Sequence, residues 1–365
     1  MRDPAAEVLV GFANPLTGEM ELASEQMQNG VDLAIAELNA AGGVLGQNVV
    51  LSLADDYCDA EQGLAAARKL VADGVAVVIG HLCSGTAIPV SLFYEEAGVP
   101  LITLAANPLL TDRGLRFTFR SSPPDDANAK FTAQHIVRQL AAKRIAIVHD
   151  SRVYGKGLAE LTRRNLEELG TPPVVFEAMQ PEQLVFADLI QRLRRAEIDL
   201  VYYGGYPREV GLLRRQMAEA AFIPPMITSG ANSSEEYHLI AGQAAEGTLV
   251  VADRRFNTPE FSQFEASLRA TYKMESDLRV TRGYASVRIW AQAVVAAGTA
   301  DSIAVAGALR SGTFHVFGME ARFDDEGNMQ GPLGEPALWV WHDGRAVPLQ
   351  PDKSDDSQAS ARTMR

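Results

Sequence analysis

Residues Val75 to Val90, VAVVIGHLCSGTAIPV, decide the fold. The stretch opens with Val75, Val77, Val78 and Ile79, an apolar, β-branched run too short for a helix, and Gly80 closes it. Such a run between turn signals reads as a fully buried strand of a parallel sheet. Ser84 and Thr86 then stand where a helix should begin. Ligands of open α/β sheets sit beyond the carboxyl ends of the strands. A helix N-terminus at that edge offers unpaired N–H groups and a partial positive charge, which suits a carboxylate. The Ser84 hydroxyl is therefore a candidate anion holder; the alternative is that Ser84 only caps the helix.

The flanking chain repeats the same unit. Residues 7–12, EVLVGF, read as a strand, and Met27, Val31, Ala34, Ile35 and Leu38 then form one apolar helix face that Gly42-Gly43 stop. Strand 48–54 leads to Asp59, placed to cap a helix with Gln62 three residues on. Strand 100–103 and the loop LAANPLLTDRG follow. Repeated βα units with short, right-handed connections give a doubly wound parallel sheet. Ser121-Ser122-Pro123-Pro124 is a composition shift and reads as a hinge. Beyond it a second series has strands at 144–149, 174–178, 200–203 and 226–228, with a helix opening at Pro207. The pattern continues through strand TLVVAD and helices near 259–272, 281–297 and 301–311 to a β-rich end containing ALWVWHDG. The polar tail after Gln350 reads as disordered.

Composition narrows the function. A 365-residue chain is long enough for two domains, and its net charge of −13 argues against nucleic acid or an anionic membrane as the main partner. No apolar run reaches the length of a membrane span. The N-terminus enters a strand almost at once, so a signal peptide has either been removed or never existed, the second case implying a cytoplasmic protein. Cys58 and Cys83 each follow a strand. If those strands are neighbours the thiols meet, closing a loop of about 25 residues worth roughly 3–4 kcal/mol and implying an oxidising compartment. The alternative is two unrelated buried thiols.

No catalytic, phosphate-cradling or metal-ligating motif stands out, and no cofactor is implied. His81 and His149 follow strands, where a structural role is the more frequent one. Two α/β lobes, a hinge and no reaction chemistry point to ligand binding between the lobes rather than to an enzyme. Tyr154 and Tyr206 fall at carboxyl ends of second-series strands, where each supplies an apolar wall with a polar tip.

PLTG after the first strand, AGG-x-x-G after the first helix, DDYCD, IGHLCSG, NPLLTDRG, IAIVHDSRVYGKG, VYYGGY and AAEGT together resemble the leucine/isoleucine/valine-binding proteins, periplasmic substrate-binding components of branched-chain amino-acid ABC transporters. The similarity runs from about residue 7 to 348. It implies a type I periplasmic binding protein fold: α/β, with two doubly wound parallel-sheet lobes joined by three hinge crossings. The lobes would be residues 1–121 plus 253–332, and 122–252 plus 333–350, with 351–365 a tail. It also implies a Cys58–Cys83 disulfide, a carboxylate-binding Ser84, cleft tyrosines at Tyr154 and Tyr206, a second contact segment at Leu104-Ala105-Ala106, and a membrane permease as partner. Leu82, Gly230, Asn232 and Arg279 are further candidates. The match departs at Ala23, where an aromatic is frequent, and at Ala106, where the family usually has a threonine. It departs again near Gly230, where the acid that pairs with the ligand ammonium is missing unless Asn232 or Glu235 replaces it. Arg279 and Arg282 stand where the family tends to have tyrosines. Losing an acid and gaining arginines favours an organic acid, or an acidic or modified amino acid, as ligand over plain leucine; a shifted loop that restores the acid is the alternative. A ligand-sensing domain of the same fold, similar to amide-sensing regulators, is the second functional reading.

Overall fold

The computed structural model describes residues 7–349, so the expected polar tail lies outside the described residues. Strands β1 (Glu7–Asn14), β2 (Asn48–Asp55), β3 (Val77–Gly80), β4 (Leu101–Thr103) and β5 (Thr118–Arg120) form one parallel sheet in the order β2-β1-β3-β4-β5. Helices α1 (Glu21–Ala40), α2 (Ala60–Asp73) and α3 (Ser84–Ala97) connect them. Local chemistry sets the ends. Asp59 accepts from the amides of Glu61 and Gln62 to start α2, and Gly74 and Gly98, both left-handed, stop α2 and α3.

The chain leaves this sheet after β5 and enters α4 (Asp125–Arg138) through Ser121-Ser122-Pro123-Pro124. A second sheet follows from β6 (Ile145–His149), β7 (Val175–Ala178), β8 (Leu200–Gly204), β9 (Met226–Ser229) and β10 (Leu249–Asp253), interleaved with α5 (Val153–Glu168), α6 (Ala187–Arg195), α7 (Pro207–Glu219) and α8 (Glu235–Ala241). After β10 the chain returns to the first lobe as α9 (Pro259–Tyr272), α10 (Leu278–Ala297), α11 (Ser302–Ser311) and a small antiparallel sheet of β11 (Phe314–Val316), β12 (Met319–Phe323) and β13 (Met329–Gln330). It then crosses a third time to β14 (Pro336–His342) and β15 (Arg345–Pro348), which complete the order β15-β14-β10-β9-β8-β6-β7.

The second sheet is therefore mixed rather than wholly parallel. β14 enters antiparallel to β10, and β15 folds back on β14. The hairpin loop is Asp343-Gly344, both residues at positive φ, the two-residue turn that matches strand twist. Such short edge strands carry little periodicity, which is why β5, β11 and β15 escape sequence reasoning.

The first lobe's core is held by α1 against α10. A Cβ on Gly30 would lie 2.0 Å from the Val280 carbonyl oxygen, and one on Gly283 would lie 2.2 Å from that of Met27. These two glycines let the helix backbones touch, with Val31, Val280 and Trp290 buried in the surrounding core. At the hinge, buried Arg282 donates to the Asp253 carboxylate and to the Leu333 carbonyl, tying the second crossing to the third. Burial pushes the Asp253 carboxyl up to about 6, and the guanidinium of Arg282 opposes the rise. The Trp339 indole donates to the Asp253 carbonyl over 2.7 Å.

Cys58 and Cys83 are bonded, although β2 and β3 are not neighbours. Both flank β1, so the bridge spans the carboxyl end of that strand. Two consecutive left-handed residues, Tyr57 at φ 53 and Cys58 at φ 57, bend the chain across it. Asp56 steadies the bend by accepting from the Cys58 amide at 2.8 Å. Replacing both cysteines by serine should lower unfolding free energy by about 3–4 kcal/mol on the loop-entropy model. Urea denaturation of the variant and of reduced and oxidised wild type measures this; unchanged midpoints would contradict it.

Candidate functional site

The carboxyl ends of both sheets face a common cleft that holds about 620 Å³ of empty space, part of it open to solvent. From the first lobe come Met20, Leu82, Ser84, Leu104 and Ala106; from the second come Asn128, Tyr154, Tyr206, Gly230 and Ala231; hinge residues Ser122, Pro123 and Asp253 form part of the wall. Arg279 and Leu278, at the start of α10, complete it.

Ser84 is the first residue of α3, and Cys83 precedes it in the capping position without a side-chain bond. Ser84 is thus not an N-cap. Its hydroxyl is buried, lines the cleft and has no partner among the described residues. A buried hydroxyl left unsatisfied is costly, and this one sits at the positive end of a 14-residue helix. The arrangement supplies one pole for an anion.

The tyrosines supply the apolar wall. The rings of Tyr154 and Tyr206 lie 5.3 Å apart between centroids, inclined by 33°. Asp150 fixes them by accepting from the Tyr206 amide and the Arg152 amide, each at 3.0 Å. Burial raises the Asp150 carboxyl to about 6 against these bonds. Below them, Met20, Ala23, the bridged Cys58 and Cys83, and Tyr206 make one apolar cluster. Ala23, where an aromatic is frequent in the resembled family, is buried in this cluster.

Other candidates are placed differently. The Ala105 carbonyl accepts from the Arg120 side chain at 3.2 Å, and Ala105 is not part of the cleft wall. Asn232 is buried behind the wall, where its amide donates to the Gly205 carbonyl and to Thr228 Oγ1. Arg279 reaches the cleft but donates to the Ala231 carbonyl at 2.7 Å and pairs with Asp277 at 3.3 Å. Arg282 serves the hinge. Both arginines are thus held by groups of the protein, and Arg282 Nη1 is buried without a partner among the described residues. His81 is tied between Asp56 at 2.6 Å and Tyr94 at 3.1 Å, a structural role. Met20, Asn128 and Asp253 had no sequence signal; Ser122 and Pro123 read only as hinge residues. Among the described residues, no group of three His, Cys, Asp or Glu side chains is placed to hold a metal.

This architecture has a match. The family model described as periplasmic binding protein fits residues 7–334. The chain belongs to the periplasmic binding protein family. Leu/Ile/Val-binding protein homolog 1 of Brucella melitensis is 38% identical over 343 residues, covering 93% of this chain and 91% of the relative. The leucine-, isoleucine-, valine-, threonine- and alanine-binding protein of Pseudomonas aeruginosa is 33% identical over 340 residues, with the same coverage of 93% and 91%. Among solved structures, a leucine-binding protein of Thermotoga maritima superposes with a TM-score of 0.87 at 22% identity, covering 96% of this chain and 99% of that one. An ABC transporter substrate-binding protein of Desulfitobacterium hafniense in complex with Leu gives 0.79 at 25% identity, covering 94% and 100%. The fold is that of the type I periplasmic binding proteins.

In this periplasmic binding protein the two lobes are clasped across the cleft mouth. Arg152, just before α5 in the second lobe, pairs with Glu19 of the first lobe at 2.8 Å and with buried Glu209 of the second at 3.3 Å. Its guanidinium also lies 5.7 Å from the centroid of the Tyr206 ring. Burial raises the Glu19 carboxyl, and Arg152 pulls it back. Glu19→Gln removes the charge pair between lobes while leaving each lobe's interior alone. We expect unchanged thermal stability, a larger radius of gyration in X-ray scattering, and about fivefold weaker ligand affinity, the equivalent of about 1 kcal/mol for a partly exposed pair. Scattering and affinity both unchanged would show that the clasp carries no closure energy.

Proposed function

We propose that the protein captures a small amino acid of the branched-chain type in the cleft and delivers it to the permease of an ABC importer. The carrying observation is the buried, unpartnered Ser84 hydroxyl at the N-terminus of α3, facing the cleft. A ligand carboxylate satisfies it and the adjacent amides together. The apolar walls from Tyr154, Tyr206, Met20 and Leu278 suit an aliphatic side chain. The names of the relatives in Brucella and Pseudomonas, and the leucine in the Desulfitobacterium complex, support the same ligand class. Closure of two lobes on the ligand gives a permease a surface that differs from the empty form. The protein acts as a carrier, not an enzyme, and works in the periplasm, where the Cys58–Cys83 bridge is stable.

A thermal-shift series on the oxidised protein tests this. Leucine, isoleucine or valine at 100 times its dissociation constant should add about 2.7 kcal/mol of stability. Ser84→Ala should weaken leucine about 10- to 100-fold in isothermal titration, the range for a lost hydrogen bond to a charged group. No shift with any amino acid would overturn the proposal.

A further inference from the structure

A second cavity lies on the other side of the hinge from the cleft. It holds about 580 Å³ of empty space, part of it open to solvent, against about 620 Å³ for the cleft. Ala252, Asp253 and Leu278 line both, so the second crossing and the start of α10 form a partition between them. The walls come from both lobes. Phe256, Phe261 and Thr281 belong to the first, and Trp339 and Ala346, on β14 and β15, to the second.

The cavity is largely apolar, through Ala252, Phe256, Phe261, Leu278, Trp339 and Ala346. The rings of Phe256 and Phe261 meet edge-on with centroids 5.5 Å apart. Most polar groups of the wall are engaged within the protein. The Asp253 carboxylate accepts from Arg282, and its carbonyl from the Trp339 indole. Asp277 caps α10 by accepting from the amides of Arg279 and Val280, each at 2.9 Å, and pairs with the Arg279 side chain. Ser276 and Arg255 both donate to Glu265 at 2.7 Å, and Ser233 donates to the Gly230 carbonyl.

Thr281 and Arg254 are left. Thr281 is only 9% exposed, and its hydroxyl makes no hydrogen bond among the described residues. A buried hydroxyl without a partner is costly. Arg254 stands at the mouth, and its ion pair with Glu335, at 3.4 Å, joins two side chains that are each 58% exposed. So exposed a pair is weak, and the guanidinium is free to turn to a better-held anion.

We propose that this cavity is a second small-molecule site, for an apolar monocarboxylate of amino-acid size. The apolar body lies against Phe256, Phe261 and Trp339, and the carboxylate takes the two open groups, the Arg254 guanidinium and the Thr281 hydroxyl. The lobes are clasped in this structure by Arg152 and Glu19, and the cavity has its present shape in that state. A ligand that fits it therefore favours the clasped form over any in which the crossings have moved, and by linkage it strengthens binding in the cleft. The second site stands independently of the amino-acid reading above; its coupling to the cleft rests on that reading.

Isothermal titration of the full oxidised chain with 3-phenylpropanoate tests this, with 3-phenylpropan-1-ol and 3-phenylpropylamine as neutral and cationic counterparts of the same body. With leucine saturating the cleft, the carboxylate should still bind at one equivalent, about tenfold tighter than the alcohol or the amine. R254Q and T281V should each weaken it about tenfold while leaving leucine affinity, measured alone, within about twofold. A346F, which fills the cavity from β15, should abolish it. Saturating 3-phenylpropanoate should tighten leucine about fivefold, and leucine should tighten 3-phenylpropanoate by the same factor. Circular dichroism checks that each variant is folded; R254Q changes an exposed side chain and keeps the test decisive if T281V is not. No binding to the leucine-loaded protein, or binding that survives A346F, would overturn the site. Equal affinities for the three head groups, or full affinity in R254Q or in folded T281V, would overturn its assignment to a carboxylate. Unmoved leucine affinity would overturn the coupling. Protein that binds 3-phenylpropanoate with this dependence but no amino acid would overturn the function proposed above while supporting the second site.

Discussion

Parallel strands all end at the same edge, and what they cannot satisfy there they present together. That constraint underlies the molecule. In the first lobe it places the start of α3, the 104–107 segment and the bridged cysteines along one rim. In the second it places Tyr154, Tyr206 and Gly230 along another. Turning the two rims toward each other makes a cavity whose walls come from six or more separate chain segments, although each lobe folds from local βα units. The polar groups that the sheets leave unpaired are thereby collected where a ligand can pair them.

The frame of this arrangement was readable in the chain. The run Val75–Ile79 with Gly80 behind it announced a buried strand, and Pro207 and Asp59 marked helix starts that the structure confirms. The position of Ser84 was readable as well, but not its role, because whether a serine caps a helix or begins it depends on the ψ of one residue, here Cys83, which is extended at ψ 126. Cleft residues on the hinge crossings were not legible. Ser122, Asp253 and Leu278 are far apart in sequence and become neighbours only when the crossings are laid side by side.

Arginine illustrates the limit of substitution reasoning. Two arginines in place of tyrosines suggest an anionic ligand as long as their partners are unknown. Arg279 and Arg282 instead cross-link the lobes and the hinge through the Ala231 carbonyl, Asp253 and the Leu333 carbonyl. Their five-donor heads are suited to gathering backbone carbonyls from irregular segments, which is what three adjacent chain crossings supply. The side chains that replace tyrosine here thus also hold the hinge together.

The three tryptophans fall into two kinds of surroundings. Trp290 is enclosed in the first lobe's core and Trp341 in the second's. Trp339 is half-buried, with its indole N–H on the carbonyl of Asp253 at a crossing. Two of the chain's indole fluorophores thus sit inside lobe cores and one sits at a hinge crossing. Emission from this protein carries a built-in optical gauge of hinge angle, with its own internal references, and needs no attached dye.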